Sequence, residues 1–350
     1  MTPVTGKVQY KQINPLRIAS IRSDISDRSQ IRPLFEKLYH YCKDVAAGPA
    51  FALFYHDSGG KELDVEVCVP VNHNIESRDI HTRLFPGGTV LSLVFQGSQE
   101  RLREGYIAIA SWAIDHAVNV ENLSREIYIS SDHENPAENL TEVQIFVVDW
   151  EQRLAVQVEK TLGSEACLAV MRDWHQYNTQ IGADQRSLWV HSAVGTLDRL
   201  TGKEDTYEII SRCAHTFSSR RISELREIYQ ETGDVDKVLE VMNAEPDWYE
   251  NPERQGRIIY VTKIPANRQQ YDEAVSRNER RQAYCHCALA YRHLDTMPPA
   301  FCNCGAGWYR QLWEGILQKP ISVEIIKSLT CKDDTCRFAI HLPPSVRINS

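Results

Sequence analysis

The chain has no long apolar run. Nowhere do about 18 uncharged apolar residues follow one another, the length a helix needs to cross a bilayer, so no membrane span is expected. Residues 1–30 also lack the apolar core of a signal peptide, because Lys7, Lys11, Arg17, Arg22 and Asp24 interrupt it. Positive charge is short as well. The chain has 39 Lys and Arg against 47 Asp and Glu, a formal −8, which gives no broad attraction to nucleic acid or anionic lipid. The short basic runs Ser219-Arg220-Arg221 and Arg280-Arg281 are read as solvated helix faces. No phosphate loop, dinucleotide fingerprint or Ser-His-Asp pattern is present, and Gly59-Gly60 and Gly87-Gly88 are turn glycines. These absences predict a cytoplasmic protein with no membrane partner and no direct nucleic-acid partner. In a reducing cytosol thiols stay free, so a disulfide framework is not the expected role of the cysteines.

What is present fits a soluble globular chain, with 42% hydrophobic and 25% charged residues. At 350 residues it is too long for one ordinary core, and two domains are expected, 1–149 and 150–350. The first domain reads as a pattern that recurs. Alternation over Leu16-Arg17-Ile18-Ala19-Ser20-Ile21-Arg22 predicts a half-buried strand. Asp27 then caps a helix over 28–44 that carries Ile31, Leu34, Phe35, Leu38 and Tyr41 on one face. Strands over 51–56 and 63–70 follow, joined by an Asp57-Ser58-Gly59-Gly60 turn. The same order returns with a strand over 89–95, a helix over 98–118 and strands over 126–130 and 142–148, giving two copies of one β-α-β-β unit. From residue 150 the texture changes to helices over 150–162, 164–180, 186–201, 204–217, 220–231 and 234–243. A polar loop over 246–254 and a β-like segment at 258–261 come next. Helices over 272–292 and 307–317 and strands over 321–328 and 337–342 complete an α+β reading of the whole chain.

Particular residues in the first half carry a resemblance. They are Asp64-Val65-Glu66-Val67-Cys68-Val69-Pro70-Val71, the Phe85-Pro86-Gly87-Gly88 turn, Ala110-Ser111-Trp112, Arg125-Glu126-Ile127-Tyr128-Ile129 and Thr141-Glu142-Val143-Gln144-Ile145. In order and spacing, residues 7–149 resemble the GyrI-like effector-binding domain of gyrase-inhibitory proteins and of multidrug-sensing and AraC-type regulators. The resemblance implies a small-molecule receptor with an acidic residue in an aromatic pocket. Its closest matching strands carry Glu126 and Glu142, with Glu126 preferred. No helix-turn-helix module is read ahead of it, which argues against direct DNA binding.

Independently, Glu66, Glu126 and Glu142 sit on strands with apolar neighbours two residues away, and a strand alternates its faces. For each the plain reading is a solvated carboxylate, and Glu66 between two valines is expected to point to water. The functional reading places a carboxylate in a pocket ringed by aromatics drawn from Tyr39, Phe54, Tyr106, Trp112 and Tyr128. A buried anion in such a ring favours flat cationic ligands. The expected ligand-binding residues are Glu126, Glu142, Trp112, Tyr106, Tyr128 and Phe54, and the helix bearing Trp112 is expected to be buried on both sides. Rival readings are a hydrolase detoxifying a reactive small molecule, with no catalytic residue assigned, and an adaptor whose protein partner is a separately encoded regulator.

Six of the ten cysteines form three close pairs near the C-terminus: Cys285-x-Cys287, Cys302-x-Cys304 and Cys331-x4-Cys336. The Cys-x-Cys spacing is not that of a zinc knuckle, and on a helix Cys285 and Cys287 would point about 200° apart. The pairs are nevertheless expected to share one neighbourhood, with zinc ligation, redox chemistry and simple packing all left open. The last seventy residues also resemble four-vinyl-reductase-type sensor domains and L-2-amino-thiazoline-4-carboxylic acid hydrolase-like bacterial domains, through Ile321-Ser322-Val323-Glu324 and Cys336-Arg337-Phe338.

Overall fold

The computed structural model describes residues 6–56, 63–75, 77, 79–130, 135–174 and 183–348. The turn expected at 57–60 and the end of the helix expected over 164–180 lie outside the described residues. Two compact units divide the chain, Met1–Val148 and Asp149–Ser350.

The first unit runs β1 (Gln9–Ile13), β2 (Leu16–Ile25), α1 (Ile31–Cys42), β3 (Phe51–Tyr55), β4 (Leu63–Pro70), β5 (His81–Phe85), β6 (Gly88–Gln96), α2 (Arg103–Asp115), β7 (Val120–Ser130) and β8 (Leu140–Val147). Asp27 caps a short 3-10 turn, Arg28–Gln30, by accepting from Ser29 N, and α1 follows directly. All eight strands form one antiparallel sheet in the order β1-β6-β8-β7-β3-β4-β2-β5. The expected β-α-β-β copies are therefore present, each with one extra leading strand. Those leading strands are exchanged: β1 pairs with β6 of the second copy, and β5 with β2 of the first. Swapping the copies leaves the strand order unchanged.

Both helices lie on one face of the sheet, α1 over β2 and β4, α2 over β6 and β8. Under α1, Ile31 and Leu38 pack on Ala19, Ala52, Val65 and Val67. Under α2, Ile109 and Ala113 pack on Leu91, Leu93, Val143 and Ile145. Burying each large side chain of this kind stabilises the fold by roughly 1.5–3 kcal/mol. The expectation that α2 is buried on both sides fails, since Ile107 and Ile114 are more than half exposed. Phe51, Leu53, Phe85 and Phe146 cover the opposite face. One turn glycine proves to be required by contact rather than by turn geometry. A Cβ on Gly87 would stand 2.3 Å from the Ile13 carbonyl oxygen, where the chain between β5 and β6 crosses the β1–β2 connection.

The second unit contains α3 (Trp150–Leu162), α4 (Ser164–Val170), α5 (Ala183–Leu200), α6 (Lys203–Ser211), α7 (Ser219–Thr232), α8 (Val235–Asn243) and α9 (Pro246–Tyr249). It continues through β9 (Glu253–Gln255), β10 (Ile258–Thr262), α10 (Arg268–Glu273), α11 (Arg277–Tyr284), α12 (Asn303–Leu317), β11 (Ser322–Lys327) and β12 (Arg337–His341). Its sheet order is β11-β12-β10-β9, and α12 lies in the core with Tyr309, Leu312, Trp313 and Ile316 against Ile259, Phe338 and Ile340. The expected loop over 246–254 instead holds α9 and β9. The expected helix over 272–292 is cut short. It starts at a Ser276–Glu279 capping box and ends at Tyr284, so Cys285 and Cys287 lie beyond it. Cys302 and Cys304 are not in a free turn, because Cys302 closes a 3-10 turn and Cys304 sits in the first turn of α12. Among the described residues no helix is long and apolar enough to cross a membrane.

Candidate functional site

Glu126 has no exposed surface, and it lies on the helix-covered face of β7, one of the two central strands. Its face follows from the register: Glu126 stands opposite Ala52 on β3 and Val143 on β8, both members of the cores beneath the helices. Four donors reach its two oxygens. Arg28 donates Nη1 to Oε2 and Nη2 to Oε1, each at 2.7 Å. The hydroxyl of Tyr106, from α2, donates to Oε1 at 2.7 Å, and that of Tyr128 to Oε2 at 3.0 Å. Tyr106 also shares a 3.0 Å hydrogen bond with Ser124 Oγ, which meets His56 Nε2 at 2.8 Å. The Arg28 guanidinium lies over the Phe54 ring, 4.6 Å from its centre.

A fully buried carboxylate is tolerated only when its lone pairs are occupied and its charge is matched. Here both conditions are met. Burial disfavours the Arg28 charge, but hydrogen bonding to Glu126 and its field outweigh that and raise the guanidinium pKa. Burial first, then the Glu126 charge, push the Tyr106 and Tyr128 hydroxyls far above the usual phenol value, so both act as donors. Burial lowers the His56 pKa and favours its neutral ring.

Of the expected ligand-binding residues, the structure brings together Glu126, Tyr106, Tyr128 and Phe54. Glu142 does not join them. It stands opposite Ile127, the neighbour of Glu126, and so projects from the other face of the sheet. There it accepts from Lys11 Nζ at 2.8 Å, Ser92 Oγ at 2.6 Å and Gln144 Nε2 at 2.7 Å. Glu66 is not solvated either. It is 5% exposed and accepts from Tyr55 OH at 2.6 Å and Arg83 Nη2 at 2.7 Å, with the Ser20 hydroxyl as a further donor. The registers make these two sites counterparts. Ser20 on β2 matches Ser92 on β6, Glu66 on β4 matches Glu142 on β8, and Arg83 on β5 matches Lys11 on β1. Each carboxylate thus clamps the leading strand of the other copy. Burial pulls both toward the neutral acid, but their donors win and hold both pKa values below the ordinary one. Trp112 stacks on His116, ring centres 3.8 Å apart, and Tyr39 is 42% exposed.

By the same correspondence, Glu126 is the counterpart of Ala52, and Tyr128 that of Phe54. At the middle of the doubled sheet one copy thus supplies a carboxylate and the other a small residue opposite it. Sequence reading missed Arg28, Ser124 and His56. Arg28 entered the sequence reading only as the first residue of the helix expected over 28–44, and no local pattern ties it to a residue 98 positions away.

The six paired cysteines all lie in the second unit. Cys285 lies within electrostatic reach of Cys287, Cys302 and Cys336, Cys302 of Cys331, and Cys304 of Cys287, Cys302 and the buried Cys213. Thr330 Oγ1 donates to Cys302 Sγ at 3.1 Å. Beside them, the buried Glu250 accepts from the Tyr309 hydroxyl and stands 3.5 Å from Lys263 Nζ. Even so, among the described residues no three His, Cys, Asp or Glu side chains are gathered as a metal ion requires. Burial pushes the thiols of Cys285 and Cys304 well up, and those of Cys213 and Cys336 up to about 12. Cys331 is the one exposed cysteine. Titrating the native chain with a thiol reagent at pH 7.5 should therefore give one fast-reacting thiol, lost in Cys331→Ser, and nine slow ones released by denaturant. Several fast thiols would mean that the cluster is open to solvent.

The model of the GyrI-like small molecule binding domain matches residues 7–148. Among solved structures, the C-terminal domain of EcmrR is 27% identical, with 41% of this chain and 98% of that one covered, at a TM-score of 0.37. EcmrR in a complex with DNA is 26% identical, with 41% of this chain covered and a TM-score of 0.38; the match spans 58% of that chain. SAV2435 bound to tetraphenylphosphonium is 14% identical, with 42% and 96% covered and a TM-score of 0.31. No curated protein matches the chain. The doubled sheet, its two helices and the family match together establish that residues 7–148 are a GyrI-like small molecule binding domain.

Proposed function

We propose that the protein is a cytosolic sensor that receives a flat cationic or hydrophobic ligand at Glu126, with no DNA-binding role of its own. The observation that carries this reading is the fully buried carboxylate set between the hydroxyls of Tyr106 and Tyr128 and beside the Phe54 ring. A desolvated anion among aromatic faces attracts a planar cation through charge and through the ring quadrupoles. The formal charge of −8 supports the absence of nucleic-acid contact, which leaves a separately encoded regulator as the partner that reads the occupied state. Calorimetry of the full chain with planar cationic dyes tests the reading. Glu126→Gln should weaken binding at least about tenfold, the loss of one buried charge pairing, while Glu142→Gln should leave it nearly unchanged. Equal loss in both variants would count against the assignment.

A second reading, hydrolysis of a reactive small molecule, draws on the 2.8 Å contact between His56 and Ser124, a neutral imidazole beside a hydroxyl. A degradation screen in which Ser124→Ala loses turnover but keeps dye binding would favour it.

A further inference from the structure

The place proposed for a cationic ligand is filled by the chain itself. Guanidinium is a planar, delocalised cation. That of Arg28 meets both oxygens of Glu126 at 2.7 Å, lies 4.6 Å from the centre of the Phe54 ring, and is flanked by the hydroxyls of Tyr106 and Tyr128. These are the contacts an aromatic box with one carboxylate would make to a free amidinium or small planar dye. The two partners differ in their freedom. Glu126 has no exposed surface and is fixed on a central strand, whereas the Arg28 side chain keeps 30% of its surface in water. Arg28 also belongs to a three-residue 3-10 turn rather than to the sheet. Rotation about its own side-chain bonds would carry the guanidinium into solvent without moving a strand. Glu126 has no such exit.

We infer that Arg28 is a tethered competitor for the cation site, so that a ligand reaches Glu126 only by expelling it. The inference rests on reading Glu126 as a cation site. It narrows the ligand class to planar cations that can replace a guanidinium between Glu126 and Phe54. It also makes the free protein a self-occupied receptor, whose apparent affinity is reduced by the fraction of molecules with Arg28 in place. Expulsion would occur at the turn that starts α1, so occupancy would be felt first at the N-terminus of that helix.

The test uses the full chain at pH 8, with ethidium as the planar cation. Arg28→Met should bind ethidium about tenfold more tightly than the unaltered chain, or better, and Arg28→Lys, which keeps a charge but not the two-pronged contact, should fall between them. Glu126→Gln should lose binding with or without Arg28. If Arg28→Met proves too unstable to titrate, methylguanidinium supplies the second measurement. At millimolar concentration it should raise the thermal midpoint of Arg28→Ala and leave that of the unaltered chain and of Arg28→Ala/Glu126→Gln where they were. Arg28→Lys and Arg28→Met no tighter than the unaltered chain, or no response of Arg28→Ala to methylguanidinium, would overturn the inference while Glu126→Gln still reported a cation site. Unchanged ethidium binding in Glu126→Gln would instead overturn the underlying reading.

Discussion

Gly307→Ala is expected to destabilise the second unit by at least about 3 kcal/mol, although alanine is the better helix former by about 1 kcal/mol. The reason is a backbone contact. A Cβ at Gly307, in α12, would lie 1.8 Å from the Ser211 carbonyl oxygen, 2.6 Å from its carbon and 2.9 Å from its Cα. No rotamer change relieves a clash with main chain, so α6 must move away from α12. That would break the bonds of Arg310 to Glu208 at 2.9 Å and to Ser211 Oγ at 3.0 Å, and would open the core beside Ile209 and Ile210. Gly195→Ala in α5 is the control. Its Cβ would meet only the far end of Arg199, at 3.6 Å, and propensity alone should make it slightly stabilising. Denaturant unfolding followed by tryptophan fluorescence measures both, because all the tryptophans except Trp112 lie in this unit and report on it. A Gly307→Ala chain as stable as the parent would mean that α6 and α12 are not in backbone contact.

The second large effect is an asymmetry. Arg28→Met should cost the first unit about 3 kcal/mol, because it leaves a carboxylate with no surface and no counter-charge. Glu126→Gln should cost less, about 1 kcal/mol, since the freed guanidinium can turn to water, the amide oxygen still accepts from one tyrosine and the amide nitrogen can donate to the hydroxyl oxygen of the other. The double variant should be more stable than Arg28→Met alone, the sign of a pair in which the cation exists to match the anion. Hydrogen exchange across β3 and β7 would place the loss in the first unit. Equal costs for the two single variants would show that Arg28 is as trapped as Glu126.

How far the sequence could be read depended on the range of the interaction. The repeated β-α-β-β order was visible because alternation over 16–22 and 63–70 and the apolar face of α1 are local patterns. The leading strands β1 and β5 were not, since Gln9–Ile13 and His81–Phe85 are short, polar edges defined by partners far along the chain. Tyr106, Tyr128, Phe54 and Glu126 could be proposed together because family resemblance and strand chemistry converged on them. Glu142 looked equivalent to Glu126 from its neighbours alone. It took the register, which sets Ile127 rather than Glu126 opposite Glu142, to separate their faces. The run 272–292 contains no glycine or proline to interrupt a helix, yet the helix stops at Tyr284. There the backbone turns extended at Cys285, and the Tyr284 hydroxyl is taken up by the Lys263 carbonyl. That ending depends on a tertiary contact which local sequence does not encode.

The exchange of β1 and β5 bears on how the first unit can assemble and on what a hinge change would do to it. Neither copy can complete its own edge, because the strand that covers β2 comes from the later copy and the one that covers β6 from the earlier. Pairings so distant in sequence put most of the loop-closure entropy before the reward, which makes for slow folding. A detached copy would expose an unpaired strand edge, and that edge would be satisfied by the leading strand of a second identical molecule. One chain thus encloses what two half-length chains would build as a symmetric dimer. Strain in the segment joining β4 to β5 would then favour two whole chains trading halves.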